Sequence, residues 1–278
     1  MKAAYRLAQC AATAAFFLVV AGALVTSTGS SLAIPDWPLA YGRLIPPMIG
    51  GIPFEWGHRV LAGAVSLLAF FLAGLVLSLK APIQSKILAL AAAGGIFIQA
   101  LFGGLTVLLR LPPLLSIAHA CLGPVVFSLL AATAQTLSPR YSDSGFSDQN
   151  SPRLTRAGIV MIGVVFLQIL FGAIIRHTGE GIGLHILWAF VVVAAAVSLL
   201  VKSYRPVKIP ALSRPALLLI HLVPLQFILG FIALKIRFSS GIGVGFGQSA
   251  AFTAAHVAIG DLILAVSAVW LVRARSAK

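Results

Sequence analysis

Eight long apolar stretches constrain this chain more than any other feature. A helix needs ~20 largely apolar residues to cross the hydrocarbon of a bilayer. The sequence offers such stretches at 9–26, 56–79, 85–109, 113–137, 156–176, 182–201, 214–235 and 249–272. Backbone inside a bilayer must satisfy its own hydrogen bonds, so each stretch is expected to be a helix rather than an open strand. The chain is 60% hydrophobic and 9% charged, too apolar for a soluble domain of 278 residues.

The net charge of +14 invites a nucleic-acid reading, and its distribution argues against one. With the N-terminus inside, the cytoplasmic side holds Lys2, Arg6, Lys80, Lys86, Arg140, Arg153, Arg156, Lys202, Arg205, Lys208, Arg214, Arg273, Arg275 and Lys278, which is 14 of the 20 Lys and Arg residues. Arg43, Arg59, Arg110, Arg176, Lys235 and Arg237 fall on the other side. This is the positive-inside bias. It predicts a multi-pass protein of the cell inner (plasma) membrane with both termini cytoplasmic, whose partner is the lipid bilayer and not nucleic acid. The first stretch has the basic start of a signal peptide but no small-residue cleavage site, so it reads as a retained helix. Cys10 and Cys121 fall near opposite faces, beyond disulfide reach, and both are expected to be buried small hydrophobes.

The chain repeats itself. Gly22-Ala23-Leu24-Val25, followed by Thr28-Gly29, matches Gly172-Ala173-Ile174-Ile175, followed by Thr178-Gly179. His58 to Gln99 and His185 to Gln226 are both separations of 41 residues. The expected fold class is therefore an all-α integral membrane protein with eight transmembrane helices as two pseudo-symmetric four-helix bundles, residues 1–138 and 156–278, joined by a polar cytoplasmic linker at 139–155. Parallel repeats of this kind recur in membrane proteins. Gln99, Gln168 and Gln226 each precede a glycine by four residues, at Gly103, Gly172 and Gly230. Glycine permits close helix approach and an amide bonds across the interface, so this pattern reads as packing.

His58, His119, His185 and His256 each stand near the start of an even-numbered stretch, followed four residues later by Ala62, Gly123, Ala189 and Gly260. Histidine inside a bilayer is expensive and usually has a partner or a function. Four in register, two per repeat, point to two pairs, His58 with His119 and His185 with His256. Paired imidazoles in a helical bundle can bind haem iron from both sides. Zinc fits poorly, because no cysteine or carboxylate cluster completes a tetrahedral site. His177 reads as an interfacial residue between helices 5 and 6, and His221 as a structural residue near the start of helix 7. Haem propionates want cations, and Arg59 and Arg176 adjoin the motif residues, so both are candidate propionate ligands.

One acid breaks the repeat. Glu55 precedes His58 by three residues and shares its helix face, whereas the residue three before His185 is Ile182. An ion pair with Arg59 would account for Glu55; a role in proton or charge handling beside the first histidine pair is the reading preferred here. Asp261, five residues past His256, reads as a buried acid bonded to a neighbouring helix or water.

Gly22-Ala-Leu-Val-Thr-Ser-Thr-Gly-Ser-Ser, Pro35-Asp-Trp-Pro-Leu and Glu55-Trp-Gly-His-Arg59 together resemble the haem A synthase family (the CtaA/Cox15 type), and the similarity extends through His119, Gly172 to Gly179, His185 and His256. The resemblance implies oxidation of the C8 methyl of haem O to a formyl group, giving haem A for terminal oxidases. It implies Glu55 as the catalytic acid, His58 and His119 around the substrate haem, and His185 and His256 around a haem b cofactor; Arg59 and Arg176 stay the propionate candidates of those two sites by their adjacency. It also implies haem O synthase as the partner supplying substrate, and leaves the electron donor open. Many bacterial members bracket the Pro-Asp-Trp-Pro loop with two cysteines; here those positions are Ile34 and Ala40, so no disulfide closes the loop. The alternatives are a bis-histidine cytochrome b that only carries electrons and a membrane haem carrier or transporter. A zinc-dependent membrane hydrolase fits least.

Overall fold

The computed structural model describes residues 1–139, 151–204, 209–238 and 246–275. Among them run eight helices: α1 (Lys2–Ser27), α2 (Ile52–Ser78), α3 (Ile83–Leu108), α4 (Pro113–Leu137), α5 (Ser151–Thr178), α6 (Ile182–Tyr204), α7 (Pro210–Phe238) and α8 (Phe246–Arg275). All eight are long and apolar enough to cross a membrane. The chain is an all-α integral membrane protein. Most of the expected linker, with Arg140, Asp143 and Asp148, lies outside the described residues, as do Arg205, Lys208, the Arg237 side chain and Lys278.

The helices outrun the apolar stretches at several ends. α1 begins at Lys2 rather than 9, α2 at Ile52 rather than 56, and α5 at Ser151 rather than 156. Hydropathy marks the slab of hydrocarbon, whereas helical hydrogen bonding continues into the headgroup region. Two expectations change as a result. His177 sits in the last turn of α5 instead of a connection. His221 lies well inside α7, exposed on its outer face, with its Nδ1 2.7 Å from the Leu217 carbonyl. Cys121 is buried as expected, but Cys10 is exposed on α1.

α1 packs on α2 and α4, and α3 packs on α2 and α4, which closes a ring of four. α5 to α8 form a second ring in the same order. Each ring has its own apolar centre. In the first, the stripe Ala4, Ala8, Ala11 and Ala15 gives α1 a flat buried face against Val65, Leu72 and Leu130. In the second, Met161, Leu199, Leu219 and Trp270 fill the middle. The Trp270 indole N–H donates to the Ser203 hydroxyl at 3.1 Å, which satisfies its one polar atom in a fully buried site.

The rings meet through α8, which packs on α1 and α4, and through α4 against α5. At the end bearing both chain termini, Arg273 of α8 donates to the Gln135 side-chain oxygen of α4 at 2.9 and 3.1 Å and to the Ala211 carbonyl of α7 at 2.9 Å. The outside of the molecule is apolar: Leu67, Phe71, Phe190 and Phe231 are all at least 60% exposed. Patches of that size on a soluble protein would aggregate, and against lipid tails they are the expected surface.

Candidate functional site

Every histidine of the repeated set lies toward the end of the molecule that carries the 28–51 loop. Each ring packs on a glycine of the helix beside it. A Cβ built on Gly22 of α1 would stand 3.0 Å from His58 Cε1, one on Gly103 of α3 3.1 Å from His119 Cε1, one on Gly172 of α5 3.2 Å from His185 Cε1, and one on Gly230 of α7 2.8 Å from His256 Cε1. The glycines therefore make the recesses in which the four rings lie. The Gln-x-x-x-Gly pattern reports packing, as expected, but the group packed there is the histidine. Sequence spacing along one helix carries no information about which residue on the next helix faces it, so this link was not readable beforehand.

The same helices supply amides. The Gln99 side chain donates to the His119 carbonyl at 2.9 Å, and the Gln168 side chain donates to the His185 carbonyl at 3.1 Å. Gln168 Nε2 also lies 3.2 Å from His185 Nε2, and Gln226 Nε2 lies 3.4 Å from His256 Nε2. Gly123 and Gly260, each four residues past a histidine, leave space for two of these amides: a Cβ there would come within 3.3 Å of Gln99 Nε2 and 3.1 Å of Gln226 Nε2.

In the second ring of helices two imidazoles face each other. His185 and His256 have centroids 6.2 Å apart and planes at 67°. Two metal–nitrogen bonds of about 2 Å plus the half-widths of two imidazoles come to roughly 6 Å, so this spacing suits one metal atom shared between the rings. His58 and His119 are close enough for their charges to interact. All four Nδ1 atoms are buried without a hydrogen-bond partner among the described residues. A buried polar atom left unpaired is costly and calls for an explanation, such as an absent ligand. No cluster of three or more His, Cys, Asp or Glu side chains is present among the described residues. Two imidazoles alone do not complete a metal's coordination, so an iron held here would need its remaining ligands from a macrocycle.

Glu55 and Arg59 are organised around the long loop instead of standing free. Glu55 is 3% exposed; its Oε2 accepts the Ile34 N–H at 2.8 Å and its Oε1 accepts from Arg59 Nη2 at 2.6 Å. Arg59 also donates to the carbonyls of Asp36 at 2.8 Å, Leu39 at 3.0 Å and Ile34 at 3.3 Å. The ion pair that offered the simpler account of Glu55 is thus present. The Asp36 carboxylate accepts the backbone N–H groups of Tyr41 at 2.7 Å and Gly42 at 2.8 Å, closing the turn. These two bonds, Gly42 first, hold its pKa below the ordinary value of 3.8. Ile34 and Ala40 are buried with Ile52 in a small apolar cluster under the loop. Trp37 lies flat on α3, where a Cβ on Gly104 would meet its ring at 2.7 Å. Gly104 adjoins Gly103, the recess of His119, so the loop docks at the edge of the first histidine pair. In the second ring the corresponding connection is the short turn between Thr178 and Ile182.

Arg176 joins the rings. Its Nη2 donates to the Ala23 carbonyl of α1 at 2.6 Å and lies 2.9 Å from the Ser27 hydroxyl. Asp261 is 3% exposed, and it and His256 lie within electrostatic range of Arg176.

Fold and site define a class: a multi-pass membrane protein with two histidines in glycine recesses in each of two helix rings, and a clamped loop beside one of them. Residues 52–184 match the model of the family described as COX15-CtaA, cytochrome oxidase assembly protein. The chain is 30% identical over 185 residues to a heme A synthase of Bacillus pumilus, covering 64% of this chain and 60% of that relative. It is 30% identical over 169 residues to a heme A synthase of Macrococcus caseolyticus, with 58% and 55% covered. It is 32% identical over 134 residues to one of Caulobacter vibrioides, with 44% and 39% covered. The match thus spans about 60% of the length of the Bacillus pumilus relative. Eight spans and bacterial relatives make it a multi-pass plasma-membrane protein.

Proposed function

We propose that this chain is a haem A synthase, oxidising the C8 methyl of haem O to a formyl group. The observation that carries the reading is the set of four imidazoles in glycine recesses, two in each ring, with an acid-clamped loop at only one of them. His58 and His119 hold the substrate haem; His185 and His256 hold haem b. The recesses, the unpaired Nδ1 atoms and the 6.2 Å spacing fit a flat iron macrocycle between helices. Haem b, when bound, supplies one-electron redox chemistry. The remaining work belongs to the chain.

Glu55 is the essential acid of the substrate site. It ties the loop to α2 through Ile34 and Arg59. Arg59 lies within electrostatic range of His58 and Arg176 within range of His256, so these are the cations proposed to meet the haem carboxylates. Trp37 and the loop cover the edge of the first pair and limit water there, which strengthens every charge interaction inside. The net conversion, R–CH3 + H2O → R–CHO + 4 H+ + 4 e−, would pass its electrons to an acceptor outside the chain, by way of a hydrated aldehyde whose loss of water leaves the formyl group. Both termini are assigned to the cytoplasm on the charge distribution, which puts the loop and both histidine pairs near the outer surface. Haem O synthase is the proposed source of substrate.

The test is pigment extraction from cells supplying haem O. The parent chain is expected to carry haem O, haem A and haem B, and Glu55→Gln to accumulate haem O with loss of haem A. Normal haem A yield from Glu55→Gln would remove Glu55 from the mechanism. Haem B alone from the parent chain would make the protein an electron-carrying cytochrome b.

A further inference from the structure

Six consecutive residues of the long loop, Leu44-Ile45-Pro46-Pro47-Met48-Ile49, carry no polar or charged side chain. Of these only Pro46 is buried. Leu44 is 82% exposed, Ile45 70%, Ile49 68% and Met48 44%. An apolar patch of this kind, outside any helix, is costly against water and marks a surface that meets an apolar partner.

Its position says which partner. The Trp56 indole N–H donates to the Leu44 carbonyl at 2.9 Å, which hangs the segment on the second turn of α2. From Trp56 to Ser78, the far end of α2, the helix rises about 33 Å, close to the ~30 Å of a hydrocarbon core. Lys80 lies just past that far end, so Trp56 and Leu44 stand at the edge of the hydrocarbon on the loop side. Trp56 also heads a stripe on one face of α2, Val60, Leu67 and Phe71, each at least 51% exposed. The apolar loop residues continue that lipid-facing stripe. The backbone suits shallow immersion as well. Pro46 and Pro47 have no N–H to leave unpaired, the Ile49 N–H donates to the Pro47 carbonyl at 3.1 Å, and the Ile49 carbonyl accepts the Ile52 N–H at 3.1 Å.

We propose that residues 44–49 are a membrane wedge, which enters the headgroup–acyl boundary of the leaflet beside α2 with Arg43 among the lipid phosphates. The partner of this surface is lipid. Moving these side chains from water into acyl chains is favourable, and the depth reached is that of an interfacial segment rather than a span. The loop is then held from two sides, by Glu55 and Arg59 on its inner edge and by the bilayer on its outer edge. The inference rests on α2 as a membrane span and not on the haem reading.

Full-length protein carrying Cys10→Ser and Cys121→Ala would take a nitroxide at Ile45→Cys or Ile49→Cys. Val60→Cys in the lipid-facing stripe and Glu180→Cys in the short turn of the second ring serve as references. In vesicles of phosphatidylethanolamine and phosphatidylglycerol, spin relaxation by dissolved oxygen, which concentrates among acyl chains, is compared with relaxation by a water-soluble nickel chelate. The oxygen-to-nickel ratio at positions 45 and 49 is expected to exceed that at position 180 several-fold and to approach that at position 60. A ratio no higher than at position 180 puts the segment in water and overturns the proposal. Low access to both reagents puts a second copy or another protein on the segment and overturns it too. The parent chain supplies a second measurement that needs no variant. A phospholipid with a diazirine near the glycerol end of one acyl chain is photolysed in the same vesicles, and adducts on residues 44–49 are expected. Adducts confined to the helices overturn the proposal.

Discussion

The two rings share a plan and differ in what covers them. Between α1 and α2 runs a loop from Thr28 to Gly51, pinned by a buried carboxylate, a guanidinium and a tryptophan; between α5 and α6 there is only a short turn. The histidines, their glycine recesses and the pairing across each ring belong to the shared plan. The difference teaches that the histidine recesses need only the bundle, and that the loop is the feature that sets the first ring apart.

Changes in the clamp should therefore damage the first ring and spare the second. The largest effect is expected from Glu55→Ala. It strands the Arg59 guanidinium, whose side chain is 16% exposed, without its carboxylate. Removing one partner of a largely buried pair costs about 3–5 kcal/mol. Limited proteolysis of the 28–51 segment should rise sharply while haem stoichiometry at His185 and His256 holds; loss of haem from both pairs would show that the clamp supports the whole molecule.

Next is Gly104→Ala. The added methyl enters the Trp37 ring, and overpacking of this kind costs about 1–3 kcal/mol. Quenching of Trp37 fluorescence by acrylamide should increase, compared with a Trp37→Phe control. Smaller and more local are Gly22→Ala and Gly230→Ala, which press on His58 and His256 respectively. Each is expected to lower haem occupancy of its own pair about two- to tenfold, or about 0.4–1.4 kcal/mol, at or below the low end of that overpacking range. Equal losses in both pairs from either change would break the claim that the recesses act separately.

The smallest effect is acid sensitivity of the loop. The Asp36 pKa is depressed by the N–H groups of Gly42 and Tyr41, so its contribution is fully present above the ordinary carboxylate pKa of 3.8 and is lost as pH falls through the lower folded value. Trp37 fluorescence should be flat at neutral pH and change only in that acid window, and Asp36→Asn should abolish the change.

Much of this was legible in the order of residues. Hydropathy gave all eight helices, because a bilayer demands long apolar runs whatever surrounds them. The approach of His185 to His256 followed from their shared depth and from the duplication. Glu55 stood out because Ile182 occupies its place in the second repeat. Less was legible wherever two distant segments meet. That Gly172 receives His185 depends on the rotation of α5 against α6. That Arg176 bonds Ala23 depends on how one ring is set against the other. The ion pair of Glu55 and Arg59 was visible as a helical spacing, but the three loop carbonyls that Arg59 gathers were not, since loop conformation has no period to read.

Arg176 stands one helical turn beyond Gly172, on the same face of α5, and its hydrogen bond lands on Ala23, the immediate neighbour of Gly22. A tilt of α5 that shifts the floor beneath His185 must therefore pull on the floor beneath His58. Through that tether, a movement at the recess of His185 has a mechanical route to the recess of His58, without either pair of imidazoles touching its counterpart.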